Sequence, residues 1–506
     1  MRLARTIAFW LLAAGLLACH VIVIQHSLTA RFWEDEAFNL TVPLNLLAGL
    51  GYSSDGALSG STITPFDPRI STGPTVLLPV AAVLALGVDP VLGARMVPLA
   101  FWALLLAGLA LLGIRTVGRW GALVAAAVPL AFNGFGSISP IQGPADLLGE
   151  IPAAALLVWA LIALPRRAWL AGLLVGLAVQ AKLIVLLALP AFAVALWVLA
   201  PGRGWQRILQ TLKRAWLPLI LVGVPTLLME VGALVSLGPS GFVEHLRGMV
   251  RFVRGGGQHF APTTVTQKLE TLAGAWFVPM WAAVATAALC VALAVAGLVL
   301  SRASRAAAAD ADRKRPDDRA AEGGRLSDSW RSVLMLASAA GVGALAFVGW
   351  WSTAAHTPLW VRHPASGVLA FFPIIVIVAL WGARVLFERA GAARVIAVVA
   401  IVLLSASLAW SIARHVLQTA QPRSETLATQ RADVAPIREW VDQTGAPWLA
   451  AHPWGAAVGP IVMSGAHVGL SDADAMAGVP RLTGLQCDTE VLVEGGRYRV
   501  CAAPIP

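Results

Sequence analysis

Along most of the chain, apolar residues come in long unbroken runs, and polar residues gather in short stretches between them. The runs show neither the alternation of a half-buried strand nor the one-sided stripe of a surface helix, so they predict helices that are apolar all round. Roughly 20 such residues cross a bilayer. On that measure about eleven spans are predicted, near residues 7–28, 95–114, 120–135, 147–164, 168–181, 183–200, 216–237, 272–300, 332–350, 364–383 and 394–412. The two over 168–200 read equally as one long tilted helix. Val76 to Val88 is apolar but short, and predicts a helix lying in the outer interface. The first run follows Arg2 and Arg5 and is followed by no small-x-small cleavage site, so it reads as a retained span and not a signal peptide.

Composition agrees: 58% of residues are hydrophobic and 13% charged, against roughly a quarter charged in soluble domains. Lipid must be the solvent for most of the surface. The formal charge of +10 does not point to nucleic acid as a partner, because its residues sit in clusters between the apolar runs. Clusters at Arg2/Arg5, Arg115/Arg119, Arg166/Arg167, Arg203 to Arg214, Arg302 to Arg331 and Arg384 to Arg394 hold more than half of the 37 Lys and Arg residues. Placing all six inside satisfies the positive-inside rule. The N-terminus is then cytoplasmic, and residues 29–94 form a first outer loop.

The expected fold is an all-α polytopic membrane domain over 1–412 and a small α/β extracytoplasmic domain over 413–506. Residues 301–331 mix Asp, Arg, Ala and Gly without a period and read as a disordered cytoplasmic linker. In the polar tail, Ser424 to Thr444 has helical spacing, and two alternating runs about Gly495-Gly496 predict a hairpin. Cys487 and Cys501 flank that hairpin. In an oxidising outer compartment they can pair; two free thiols are the alternative. The abundance of Ala and of Arg over Lys suggests a bacterial source, hence a bacterial cytoplasmic membrane.

The strongest local signal for chemistry is Arg31-Phe32-Trp33-Glu34-Asp35-Glu36-Ala37, directly after the first span. Three consecutive carboxylates repel one another. They read either as a solvated cap, with Trp33 at the interface, or as a site. The loop continues through Phe66-Asp67-Pro68-Arg69-Ile70-Ser71-Thr72-Gly73-Pro74, the short apolar helix, and Gly93-Ala94-Arg95. A second outer loop ends in Gly143-Pro144-Ala145-Asp146-Leu147-Leu148-Gly149-Glu150. Gln180-Ala181-Lys182-Leu183 and Trp360-Val361-Arg362-His363-Pro364 follow at other outer span ends.

This ordered set resembles the lipid-dependent GT-C glycosyltransferases of glycosyltransferase family 39, which include protein O-mannosyltransferases and lipid A aminoarabinose transferases. Their first outer loop opens with an Asp-Glu pair and runs to a Lys-Pro-Pro segment, an interfacial helix and an Ala-Arg-Leu-like span start. Here Arg69 with Pro74 stands where Lys-Pro-Pro would be, and His363 replaces a Tyr of the late Arg-Tyr-x-x-Pro motif. The resemblance covers residues 1–200 and, more loosely, 355–385. It implies an inverting transferase that moves a sugar from a polyprenyl-phosphate-linked donor to an envelope acceptor (lipid, glycan or protein) at the outer face. The implied base is Asp35 with Glu36 beside it, Asp146 and Glu150 are the second acidic position or acceptor site, and Arg69, Arg95, Lys182, Arg362 and His363 are candidates for the donor phosphate.

Elementary chemistry asks for the same groups. Displacement at an anomeric carbon bearing a phosphate needs a carboxylate to take the acceptor's proton and cations to hold the departing anion. The carboxylates could serve with or without a divalent cation. Lys182 beside apolar stretches is costly unless paired, or it snorkels to the interface. Arg247, Arg251, Arg254 and Lys268 line a further outer loop with Gly255-Gly256-Gly257, a mobile flap or a patch resting on anionic headgroups. Glu230 lies within an apolar run. Walker, dinucleotide, His-Glu-x-x-His and zinc-type cysteine motifs are absent from the sequence. A lipid-linked saccharide transporter and an O-antigen polymerase or ligase are the rival readings. The first should show an internal hydropathy repeat, and none is clear; the second should centre its chemistry on a large late outer loop rich in arginine, whereas here the acidic loop comes first, directly after the first span.

Overall fold

The structure is a computed structural model that describes residues 2–56, 62–132, 143–254, 261–313, 320–453 and 455–503. Among the described residues its membrane part is mainly helical. In chain order come α1 (Arg2–Thr29), α2 (Glu34–Leu47), the two-residue strands β1 (Ser53–Ser54) and β2 (Thr64–Pro65), α3 (Pro74–Leu84), α4 (Pro90–Thr116), α5 (Arg119–Ala127), α6 (Glu150–Ala163) and α7 (Ala168–Ala181). Then follow α8 (Leu189–Leu199), α9 (Gly204–Arg254), α10 (Val265–Gly274), α11 (Met280–Arg313), α12 (Ala320–Thr353), α13 (Ala365–Phe387) and α14 (Ala392–Thr419).

Among the described residues seven helices, α1, α4, α9, α11, α12, α13 and α14, are long and apolar enough to cross a membrane. Each coincides with a predicted span. The other four predicted spans fall on shorter helices: α5 with its 3-10 extension Val128–Ala131, α6, α7, and the 3-10 turn Leu183–Ala188 with α8. The 168–200 stretch is therefore two segments, broken at Lys182, whose backbone is extended (φ −156°, ψ 117°). The short helix expected from Val76 is α3. The predicted start of a span at 272 is corrected, because α10 ends at Gly274 and α11 begins at Met280. Helix also runs through most of the expected linker, to Arg313 and again from Ala320. Alanine-rich sequence with Arg and Asp favours helix even without an apolar stripe.

The core runs through α4, α6, α12 and α13, with Phe347, Trp351, Phe371 and Ile374 fully buried. Close approach rests on small residues. A Cβ on Gly382 of α13 would lie 2.0 Å from the Leu293 carbonyl oxygen of α11, so only glycine admits this contact. Helix α9 kinks at Gly238, which takes the left-handed φ of 68°.

The tail carries α15 (Leu427–Thr444), β3 (Trp448–Ala451), α16 (Val458–Ser464), β4 (His467–Leu470), β5 (Arg481–Thr483), β6 (Val491–Gly495) and β7 (Tyr498–Cys501). The sheet order is β4-β3-β5-β7-β6. β3 pairs parallel with β4 and β5, while β7 pairs antiparallel with β5 and β6. Helix α15 is the one expected from the spacing, opened by a capping box on Thr426 and closed by left-handed Gly445. The hairpin is β6–β7, and Cys487 is bonded to Cys501.

This tail grips the first loop. The Gln430 side chain pairs with the Phe32 backbone in both directions, accepting from its N–H at 2.7 Å and donating to its carbonyl at 3.0 Å. Buried Asp55 accepts from the Val468 amide at 2.9 Å and from His467 at 3.0 Å. Arg431 meets Asp89 at 2.6 Å. The turn at Trp33–Glu36 is thereby held from outside the membrane domain.

Candidate active site

Helix α2 begins directly after Trp33, and its first turn is Glu34, Asp35 and Glu36. A helix N-terminus favours negative charge, so the acidic run helps to start the helix. Successive residues on a helix point about 100° apart, and the three carboxylates separate. Glu34 turns to Arg31 at 3.1 Å.

Glu36 turns inward to Arg95 of α4. The pair is bidentate, Nη2 to Oε2 at 2.6 Å and Nε to Oε1 at 3.0 Å, and fully buried. The remaining Arg95 hydrogens go to the carbonyls of Leu28, Ala30 and Arg31. All five guanidinium donors are thus used, leaving none for a phosphate. Glu36 Oε1 also accepts from the Leu147 amide at 3.1 Å. The pair ties the end of α1, the start of α2, α4 and the second outer loop into one knot. Asp146 belongs to the same knot, accepting from the Gly143 amide at 2.8 Å and from Ser27 at 3.2 Å. Burial, reinforced by the Glu36 charge, lifts its pKa to about 6.

Asp35 faces the other way. Its Oδ2 is in direct contact with Arg362 Nη1. The guanidinium lies 4.3 Å from the ring centre of Trp360 and 5.5 Å from that of Trp33. Among the described residues this is the one hydrogen bond its side chain donates, in contrast to the saturated Arg95. Burial raises the Asp35 pKa; the Arg362 and Lys182 charges oppose the rise and Glu150 adds to it. Lys182 is therefore close by, at the break between the two short helices. It meets Glu150 Oε1 at 2.8 Å and donates to Ser71 Oγ at 2.9 Å. Glu150 is buried, and its Oε2 has no hydrogen-bond partner among the described residues. His363 lies beside this group. Burial, then Arg362, Lys182 and Lys268, depress its pKa to about 3, so the imidazole is neutral.

Asp35, Glu150, Lys182, Arg362 and His363 are thus brought together from four parts of the chain. Two glycines fix the Lys182 break. The Gly73 amide donates to the Ala181 carbonyl at 3.1 Å. A Cβ on Gly149 would stand 2.1 Å from the same oxygen. Asn39 of α2 binds the Leu147 carbonyl at 2.6 Å and Thr72 at 3.0 Å, joining both outer loops. Ser71, Asn39 and the two tryptophans were not assigned here from sequence. Trp360 two residues before Arg362, and Trp33 two residues before Asp35, were the available signal.

Other expected positions lie elsewhere. Arg95 is a buried cation whose five donors are all taken by protein acceptors. Arg69 is exposed and takes no part in ion pairs among the described residues, its amide donating to Asp67. Lys268 is fully buried. It donates to the carbonyls of Trp351 and Ala354 and to Thr357 Oγ1 at 2.5–2.6 Å, closing the C-terminal end of α12. Arg247 and Arg251 are exposed and share Glu244. Glu230 lies 3.3 Å from His245 across the kink. The Gly255–Gly257 flap falls outside the described residues, as does the Arg254 side chain. No three His, Cys, Asp or Glu side chains converge as metal ligands among the described residues, and Asp35 and Glu150 already face cations.

No protein-family model matches the chain, and no curated protein matches it. Among solved structures it is similar to ArnT from Cupriavidus metallidurans. Against the apo state the TM-score is 0.55 at 12% identity, covering 99% of this chain and 98% of that one. Against the state bound to undecaprenyl phosphate it is 0.56 at 12% identity, covering 98% and 97%. Over nearly its whole length the chain has the fold of these ArnT structures.

Proposed function

We propose that this membrane protein is an inverting glycosyltransferase that moves a sugar from a polyprenyl-phosphate-linked donor to an acceptor in the cell envelope. The observation that carries the reading is the two neighbouring ion pairs, Asp35–Arg362 and Glu150–Lys182, at helix ends. An ArnT structure with undecaprenyl phosphate bound shares this fold, which supports a lipid-phosphate donor. Asp35 takes the proton of the acceptor hydroxyl as its oxygen attacks the anomeric carbon. Arg362 and Lys182 hold the phosphate as the glycosidic C–O bond breaks and its charge grows. A carboxylate made more basic by burial suits the first role. Neutral His363 has one N–H with which to orient a phosphate oxygen. Glu36 and Arg95 act by fixing the start of α2, and Asp146 by fixing the loop that leads to Glu150. The disulfide supports an oxidising, extracytoplasmic location for the tail, and with the arginine clusters a cytoplasmic N-terminus in a bacterial inner membrane.

The test is transfer by purified full-length protein in nanodiscs, using radiolabelled polyprenyl-phosphate sugars and crude envelope acceptors. Asp35→Asn should lower transfer by roughly 10²- to 10⁴-fold, the range of a lost general base, with insertion unchanged. Wild-type rates in that variant would remove Asp35 as the base. A protein that moves lipid-linked sugar across the membrane without releasing polyprenyl phosphate would overturn transfer altogether.

A further inference from the structure

Within the chain itself, the site contains its own neutralisation. Asp35 lies against Arg362, Glu150 lies against Lys182, and His363 is neutral. A base held by a guanidinium is a poor base, because the cation stabilises the form without the proton. A donor phosphate needs both of these cations. Arg362 can supply it: one donor is engaged among the described residues, and the guanidinium is otherwise held by the faces of Trp33 and Trp360. Stacking constrains the plane and leaves the in-plane N–H groups free to change partner. Lys182 has two contacts, Glu150 and Ser71, for its three hydrogens.

Building on the transfer reading above, we infer that Arg362 masks Asp35 in the empty protein, and that the donor's phosphate draws Arg362 and Lys182 off their carboxylates. The base is then released only once the donor is seated, and binding is ordered with the donor first. Glu150 acts as the resting counter-ion that keeps Lys182 in place between turnovers. With the phosphate bound, Asp35 has lost a cation and gained a neighbouring anion, and both changes increase its hold on a proton. In the step itself, the bond from acceptor oxygen to the anomeric carbon forms and the bond from that carbon to phosphate oxygen breaks. The hydroxyl proton passes to Asp35, and the electron pair leaves with the polyprenyl phosphate. Departure of that lipid lets both pairs re-form. Acceptor arriving before donor meets a masked base, which protects it from unproductive chemistry.

The experiment reads Asp35 without requiring turnover. Full-length protein in nanodiscs is treated with dicyclohexylcarbodiimide, which attacks protonated carboxyls in apolar surroundings. Labelling at Asp35 is followed by peptide mass with and without undecaprenyl phosphate, and lipid retention is measured by native mass spectrometry. The lipid should speed labelling about tenfold, the effect of one pKa unit. Arg362→Gln should label fast with or without lipid; if that variant does not fold, the wild-type comparison still decides. Glu150→Gln should bind undecaprenyl phosphate roughly fivefold more tightly, equivalent to about 1 kcal/mol, because Lys182 loses its competing partner. Lys182→Gln should bind it more weakly. Lipid bound with no change at Asp35 would overturn the mask alone, as would Glu150→Gln weakening binding like Lys182→Gln. No retention of the lipid at all would overturn the transfer reading and the mask with it.

Discussion

Arg95 is the residue on which a reading from sequence and a reading from geometry part most sharply. Seen as a phosphate ligand, its loss should impair donor binding in a stable protein. Seen as the partner of Glu36, its loss should be felt first in stability. Both side chains are fully buried, and five hydrogen bonds converge on the guanidinium. Removing one member of such a pair leaves the other charged and uncompensated, which costs about 3–5 kcal/mol. Arg95→Met, close in volume, leaves Glu36 with the Leu147 amide alone and strands three carbonyls. Glu36→Gln leaves the guanidinium charge unmatched. Each should lower stability by about 3 kcal/mol or more. The double variant should lose less than the sum, because it removes both charges together. Unfolding in mixed micelles titrated with dodecyl sulfate, followed by tryptophan fluorescence, gives the four corners of the cycle. Specific activity and donor KM of the folded fraction should stay near wild type for Glu36→Gln. The reasoning fails if Arg95→Met is within about 0.5 kcal/mol of wild type while its donor KM rises steeply.

Four further outcomes follow from the same geometry. Because burial raises the Asp35 pKa, kcat/KM for the donor, which reports the free enzyme, should rise with pH along a limb lying above the ordinary carboxylate range, and Arg362→Gln should move that limb higher; a pH–rate profile checks both. Lys268→Met should cost at least about 2 kcal/mol, since three buried acceptors lose a donor, with donor KM unchanged in transfer assays. The Asp55 hydrogen bond raises the His467 pKa above that of the unfolded chain, so this contact stabilises fully below about pH 6.5 and fades as pH rises through the folded value; limited proteolysis of the tail should quicken over that window in wild type and not in His467→Gln. Gly149→Ala would put a Cβ 2.1 Å from the Ala181 carbonyl and must shift the backbone at Lys182; donor KM should rise more than kcat falls.

What could be read in advance was governed by cost. A long apolar run has few fates other than a membrane, and arginine clusters orient it, so the seven long helices and the short outer helix were legible. Charges at the ends of such runs are expensive unless paired, which made Asp35, Glu150, Lys182 and Arg362 stand out and is why they meet. Length, by contrast, misleads where neighbours supply the burial: α6 and α7 are 14 residues each, below the roughly 20 needed for a lone span. Asp35 was read as the base with Glu36 beside it, but the partners of the two were hidden, because adjacency does not say which way each acid turns and only the turn of a helix sends one to Arg362 and the other to Arg95.

The same holds for the cations. Arg95, Lys268 and Arg362 look alike in sequence, each a base near an outer span end. What separates them is how many of their donors the protein has already consumed. Arg95 has spent all five, and Lys268 has spent three on the end of α12. Arg362 has spent one among the described residues. A saturated cation holds the fold and has nothing left to offer a ligand, whereas an unsaturated one kept on aromatic faces is ready to bind. That criterion depends on tertiary contacts no spacing rule can supply, and it singles out Arg362, with Lys182, as the pair free to receive an anion.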